Sequence, residues 1–351
     1  MKRNYVKTVR PMVCTVLGIA LTMGGVLIGS CSKQDSSQPG NEQSARKASK
    51  IKITFAGTEA ATTGQSRMMQ ETADLLNATG RFDADVQVNG ALSNDTDNLV
   101  TQAKTGVPLV VPSDPGRLAS QFRIPDLNIL MAPYILTDRS ALDRLPETPL
   151  FQEWQKQLEN QGITFVVDMY NGFRSFYTNV PVTDVPGLKG LRIRGFGNDI
   201  GNNLAKYLGF ANIGISWGEV LPGIQQKTLD GCEVQVATAY GTAIYEVAKN
   251  LALTKHYMLQ SAFVCSSRLL QSMPQEDRDL FIKTMRDMAK KYGEIVAAEE
   301  ADYYEKMKAQ GVTVTEVNIG EFEAAVAPLY TNNDLKFSEG LKDRLFSELG
   351  L

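Results

Sequence analysis

Apolar and polar positions alternate with period two at Ile51-Lys-Ile-Thr-Phe55 and then switch to helical spacing at Met68, Met69, Leu75 and Leu76, which predicts a strand followed by a helix. Further short apolar runs predict strands at 85–88, 109–111, 163–167, 174–178, 191–194, 233–237 and 262–265. Helical patterns at 96–104, 139–160, 198–208, 217–227 and 240–248 separate many of them. Strands alternating with helices predict an α/β fold of mostly parallel sheets, in which ligands bind beyond the strand ends.

The longest periodic signal runs from Ser272 to Gln310. Phe281, Met285, Met288, Tyr292 and Ile295 recur at steps of four, three, four and three, which gives one buried stripe. Ser272 and Gln275 suggest a capping box, Pro274 is tolerated in a first turn, and Gly311 stops the helix. At about 1.5 Å per residue such a helix exceeds 50 Å, longer than one small domain needs, and is expected to cross two. Gly293 is the place where it would break into two helices, but an interior glycine costs only about 1 kcal/mol, which favours continuity.

Before Ile51 the pattern changes. Residues 1–30 carry Lys2, Arg3, Lys7 and Arg10, then an apolar run broken by Thr15, Thr22 and four glycines, which is short for a membrane span and matches an export signal. Ile28-Gly29-Ser30-Cys31 fits a bacterial lipoprotein cleavage box, so Cys31 is expected to carry acyl chains that tether the protein to a membrane surface. Residues 31–50, with no apolar side chain larger than alanine beyond Cys31, read as a flexible tether.

Removing 30 of 351 residues leaves 321, enough for two domains. Taking four basic residues from 36 leaves 32 against 39 acidic ones, a charge of −7 that argues against nucleic-acid partners. Cys232 and Cys265 could pair in an oxidising compartment, but their apolar strand-like settings fit reduced, buried thiols. His256 is the only histidine, and no Cys/His grouping has metal-site spacing. Glu299 and Glu300 read as a solvated helix face, and the stretch Gly195-Phe-Gly197-Asn-Asp-Ile200-Gly201 lacks the third glycine of a dinucleotide fingerprint. Neither an enzyme nor a bound cofactor is expected.

Candidate chemistry centres on two arginines in strand-like settings, Arg174 in Asn-Gly-Phe-Arg-Ser-Phe-Tyr-Thr-Asn and Arg194 in Leu-Lys-Gly-Leu-Arg-Ile-Arg-Gly. A guanidinium grips a carboxylate through two parallel hydrogen bonds, so two such forks on rigid strands suit an organic acid. Period two puts Arg192 and Arg194 on one face and does not say which of them meets a ligand. Trp217 opens a helix and serves either a pocket or a core, while Glu219 suits a helix start. Asp230-Gly231 marks a turn in which glycine supplies positive φ before the strand carrying Glu233. Gln235 and Tyr240 offer amide and hydroxyl contacts beside it. Thr58 and Glu59 after the first strand, and Ser113 and Asp114 after a later one, lie where α/β domains present ligand contacts.

In this order the Gly-x-Arg at Arg174, the Leu-x-Gly-Leu-x-Ile-Arg at 188–194, Trp217 with Glu219, Asp230-Gly231 with Glu233, Leu253-Thr-Lys-His256 and the long helix resemble the solute receptors of tripartite ATP-independent periplasmic (TRAP) transporters. The likeness covers most of 51–320. It implies a two-domain periplasmic-binding-protein-like α/β fold with an interdomain ligand cleft and a domain-spanning helix. The expected division is 51–170 with 258–320 as one discontinuous domain, 171–257 as the second, and 321–351 as a C-terminal helical segment. It implies that Arg194 binds the ligand carboxylate and Arg174 assists. Where the family often has Asn after the Asp-Gly-x-Glu stretch, this chain has Val234. The implied function is capture of a small organic acid outside the cytoplasm and delivery to the small and large membrane subunits of a TRAP transporter. The alternatives are a lipoprotein for sensing or storage without transport and, behind it, an enzyme acting on a carboxylate.

Overall fold

The computed structural model describes residues 49–351; the expected export signal at 1–30, Cys31 and the expected tether up to residue 48 lie outside the described residues. Nine strands form one sheet: β1 (Ile51–Ala56), β2 (Phe82–Gln87), β3 (Leu109–Ser113), β4 (Ile163–Thr178), β5 (Arg192–Arg194), β6 (Ala211–Ile213), β7 (Gly231–Gln235), β8 (Asn250–Ser266) and β9 (Thr313–Thr315). Their order is β2-β1-β3-β8-β4-β7-β5-β6, with β9 beside β8. The helices are α1 (Gly64–Ala78), α2 (Thr96–Lys104), α3 (Pro115–Phe122), α4 (Ala141–Arg144), α5 (Pro149–Glu159), α6 (Asp199–Leu208), α7 (Val220–Gln225), α8 (Val236–Gly241), α9 (Ile244–Val247), α10 (Ser267–Ser272), α11 (Gln275–Ala309), α12 (Ile319–Thr331) and α13 (Leu341–Leu349).

The expected parallel pairing holds toward the ends of the sheet, where β1 pairs with β2 and β3 and β5 with β6 and β7, and where β9 joins β8. In the middle β4 and β8 run antiparallel to each other, and each is antiparallel to its outer neighbour, β7 or β3. The runs predicted at 163–167 and 174–178 are one strand of 16 residues, and 262–265 belongs to a strand of 17. Residues 168–173 disguised this continuity because Asp168, Asn171 and Gly172 read as strand breakers. β4 absorbs them with register shifts between Tyr170 and Phe173 and on either side. Gly172 has φ +96°, and a Cβ there would lie 3.1 Å from both the Gln235 Cβ and Glu300 Oε1.

Glu300 is not on a solvated face, as the sequence suggested. It accepts hydrogen bonds from Tyr170 Oη at 2.8 Å and the Phe173 amide at 3.2 Å, so α11 holds the irregular centre of β4. Glu299 pairs with Arg67 at 2.8 Å and fastens α11 to α1. α11 runs unbroken through Gly293, with Phe281, Met285 and Tyr292 buried and Met288 and Ile295 packed beside them. It begins at Gln275 rather than Ser272. Ser272 ends α10, its hydroxyl donating to the Leu269 carbonyl, so the expected capping box is absent. Pro146 and Pro149 divide the expected helix 139–160 into α4, a short turn and α5, since a proline removes a helical amide donor and is tolerated only at a start.

Among the described residues three apolar clusters are buried. One lies among α2, α3, α5, α6, α12 and α13, a second between α1 and α11, and a third around β7, α7, α8 and α9. α12 and α13 were the least legible helices in the sequence, and they pack on α6 and α5 respectively.

Candidate functional site

Arg174 sits where β4 lies between β7 and β8, opposite Gln235 on one side and Tyr257 on the other. Its side chain is buried. Nε donates to Glu233 Oε2, one terminal nitrogen donates to the Glu233 carbonyl, and the other donates to Gln235 Oε1 at 3.2 Å. The Phe196 ring centroid is 4.4 Å from the guanidinium carbon and that of Tyr257 is 5.7 Å away. Of five N–H groups, one on each terminal nitrogen remains after these bonds. Tyr257 Oη also donates to Glu233 at 3.1 Å, and His256 Nε2 lies 3.4 Å from the same oxygen. Burial raises the Glu233 carboxyl, but the Arg174 charge and the hydrogen bonds from His256 and Arg174 outweigh it and hold it at about 2. Burial pushes His256 down against the pull of Glu233, so the imidazole is neutral and its contact with Glu233 is a hydrogen bond rather than an ion pair. Its Nδ1 meets the Thr254 hydroxyl at 2.9 Å.

Arg194 ends β5, between Ile213 of β6 and Cys232 of β7. It is half-buried. Its Nε reaches the Ile215 carbonyl at 3.4 Å, and its guanidinium carbon lies 5.2 Å from the Trp217 ring. Among the described residues no carboxylate lies within 4.0 Å of it. Arg192, on the same strand face, is exposed and clamped by Asp230 at 2.8 Å, which settles which arginine is uncommitted. Burial and the Arg174 charge both work against the Arg194 cation. This is the electrostatic setting in which an added anion is most favoured.

The remaining candidates separate. Glu59, in the loop after β1, has a buried Oε2 without a hydrogen-bond partner. Burial raises its carboxyl, opposed by Thr63 and the Arg174 charge. Thr58 beside it is half-buried. Ser113 Oγ is buried and unpartnered, and Asp114 caps α3 and pairs with Arg117 at 3.0 Å. Trp217 opens a 3-10 turn with the Ser216–Glu219 capping box, so Glu219 is a helix-start residue as expected. Gln235 is the last residue of β7, and its amide is spent within the protein on Arg174 and on Thr238 Oγ1 at 2.8 Å. Tyr240 turns away. It stacks on Tyr245 at 5.3 Å and leans on Tyr303 of α11 at 5.0 Å. Val234 faces the third apolar cluster with Cys232 and Tyr177. Gly231 lacks positive φ; it is needed because a Cβ there would stand 2.1 Å from the Tyr177 carbonyl across the β4–β7 pair. Cys232 and Cys265 are free and buried, and burial lifts the Cys232 thiol to about 12 despite Arg194.

Phe196, Asn212 and Tyr257 were not singled out from the sequence, and each belongs here. Asn212 Nδ2 donates to the Phe196 carbonyl at 2.7 Å. Only the three-residue run Ala211–Ile213 marked its strand, too short to carry a period.

Residues 55–335 match the bacterial extracellular solute-binding protein family 7, the DctP family. The chain belongs to this family. This solute-binding protein is 27% identical to the sialic acid-binding periplasmic protein SiaP of Vibrio cholerae over 63% of its own length and 70% of the relative's. It is 26% identical to the C4-dicarboxylate-binding periplasmic protein DctP of the same organism, over 65% and 68% of the two chains. A TRAP periplasmic solute-binding protein of Actinobacillus succinogenes, solved with bound L-galactonate, superposes with a TM-score of 0.78 at 26% identity, covering 85% of this chain and 99% of that one. The fold is therefore that of the TRAP receptors, and the family is one of solute receptors rather than enzymes. Among the described residues of this solute-binding protein no helix is long and apolar enough to cross a membrane.

Proposed function

We propose that this solute-binding protein captures a small organic acid whose carboxylate is held by Arg194 over Trp217, with the two spare N–H groups of Arg174 assisting. The observation that carries this is a half-buried guanidinium with no carboxylate among the described residues within 4.0 Å, beside a second guanidinium that is already matched by Glu233. The named ligands of the relatives, sialic acid, a C4-dicarboxylate and L-galactonate, share a carboxylate. Thr58 and Glu59 contribute from the other end of the sheet, and closure of two lobes joined by β4 and β8 would exclude water and strengthen the grip. Delivery is to the small and large membrane subunits of a TRAP transporter.

The test is calorimetry with the acid identified by mass spectrometry of ligand released from the purified protein. Arg194→Ala removes the partner of a desolvated anion and is expected to weaken binding by about two to four decades, corresponding to roughly 3–5 kcal/mol. Arg194→Lys keeps the charge without the fork and falls between. Undiminished affinity in a folded Arg194→Ala protein would refute the anchor.

The protein further reads as a lipoprotein held at the membrane by acylated Cys31 after removal of residues 1–30, on the strength of Ile28-Gly-Ser-Cys31 and the polar tether behind it. Cys31→Ser is expected to move it to the soluble fraction, and unchanged membrane association with no acyl mass on the wild type would rule this out.

A further inference from the structure

Asp168 stands apart from the two arginines. It lies opposite Ala262 in the β4–β8 pair, and at about 3.3 Å per residue it precedes Arg174 on the same strand by roughly 20 Å. Its side chain is buried, with the residue 8% exposed, and neither carboxylate oxygen has a hydrogen-bond partner among the described residues. Burial raises the carboxyl well above its ordinary 3.8; the nearby Met169 amide opposes this without reaching hydrogen-bond geometry, and the Asp114 charge adds to the rise. A buried carboxylate left without donors is costly, so this position favours a group that brings them.

Asp168 lines a polar cleft of about 260 Å³ between β4, the turn before α4, and α11, and none of Arg174, Arg194 and Trp217 borders that space. The volume is just under the roughly 300 Å³ at which small-molecule sites begin. Asp138, Asp143 and Glu294 share the walls with Asp168, against the two cations Arg139 and Lys290. Neither cation bonds to Asp168, and Lys290 is turned to Asp143 at 4.0 Å. The acids therefore outnumber the bases, and the innermost acid is the one left unmet. Leu142 and Ala289, both buried, give the cleft an apolar strip.

Among the described residues no group of three acids, histidines or cysteines is placed to hold a metal ion, so a bare divalent cation is not served here. A primary ammonium fits better. It carries three N–H donors, enough for both Asp168 oxygens, its charge meets the excess of acid, and an alkyl stem can lie along Leu142 and Ala289.

We propose that this cleft is a second ligand site, separate from the carboxylate site, that takes a small primary alkylammonium ion with its nitrogen on Asp168.

Titration calorimetry of the full-length protein with butylammonium, tetramethylammonium and butanol tests it. Butylammonium is expected to bind saturably. Tetramethylammonium has the charge without N–H donors, butanol has a donor without the charge, and each is expected to bind at least about tenfold more weakly. Asp168→Asn keeps the side chain's size and removes its charge, and is expected to weaken butylammonium at least about tenfold and to abolish the rise in urea midpoint that butylammonium gives the wild type. The proposal is overturned by a wild type that shows no saturable binding, by tetramethylammonium or butanol binding as well as butylammonium, or by undiminished binding in a folded Asp168→Asn protein. Should Asp168→Asn not fold by circular dichroism, the ranking of the three compounds on the wild type decides alone.

Discussion

Arg174 and Arg194 are the same residue type on neighbouring parts of one sheet, yet their surroundings leave them with very different numbers of bonds to make. Arg174 is enclosed by Glu233, Gln235, Phe196 and Tyr257, and most of its donors are spent inside the protein. Arg194 has an aromatic floor, one long bond to a carbonyl, and no acidic partner within 4.0 Å among the described residues. A buried charge that is matched holds the framework, and on the proposed reading the one left unmatched at a half-open site takes the ligand. The contrast teaches that chemical identity alone does not mark a binding residue. What marks it is the unmet demand left after the protein's own bonds are counted.

The strongest way to break this comparison is to remove the matched partner. Arg174→Ala leaves Glu233 buried and uncompensated and is expected to lower stability by about 3–5 kcal/mol in urea denaturation, whereas Arg194→Ala is expected to stay within about 0.5 kcal/mol of wild type. Equal stability losses would show that both arginines are framework residues.

The pH dependence separates the two regions next. Glu233 has a folded value near 2 against an ordinary 4.5, so its contribution is present above pH 4.5 and is lost as pH falls toward 2. His256 is depressed below its ordinary 6.5, so the unfolded chain binds its proton first and stability falls as pH drops below 6.5. Asp168, buried with neither oxygen partnered, lines a polar cleft of about 260 Å³ between β4 and α11, and burial raises its carboxyl well above the ordinary 3.8. Its sign is opposite: stability is lost as pH rises above 3.8 toward the folded value. Asp168→Asn is therefore expected to stabilise the protein at pH 7 by roughly 1 kcal/mol or more, with the gap closing by pH 4. Arg194→Ala is expected to leave the shape of the stability–pH curve unchanged, because a guanidinium stays charged throughout. Denaturation series across pH 3 to 8 read both.

The finest distinction concerns the floor under Arg194. Trp217→Leu keeps an apolar surface but loses the ring face, and a cation–π contact at a partly exposed site is worth about 0.5–1 kcal/mol. A two- to fivefold loss of ligand affinity with unchanged stability is expected in calorimetry. A large loss of stability instead would place Trp217 in the core rather than the site.

Much of the fold could be read along the chain because local periodicity reports which face of an element is buried. The stripe from Phe281 to Ile295 marked α11 as one continuous helix, and period two marked β1. The centre of the sheet was harder. Asp168, Asn171 and Gly172 break the strand pattern locally, and only pairing with β8 and the grip of Glu300 keep β4 a single strand. The helix start at Glu219 was legible from its charge, while its partner Ser216 was not singled out, and the cap at Ser272 was misread, where Pro274 restarts the helix.

The sequence by itself determined the alternation of strands and helices, the long helix, the two arginines and the ordered motifs that tie them to a family of solute receptors. Its periodicity left Arg192 and Arg194 equivalent, because a period of two gives a face but not a neighbour, and only the resemblance singled out Arg194. Only the tertiary structure brought Asp230 to Arg192, and Glu233, His256 and Tyr257 to Arg174, across gaps of 38, 59 and more than 80 positions. Those pairings depend on strand register and on which side chains exclude water, which the whole packed sheet sets at once and no local stretch of chain contains.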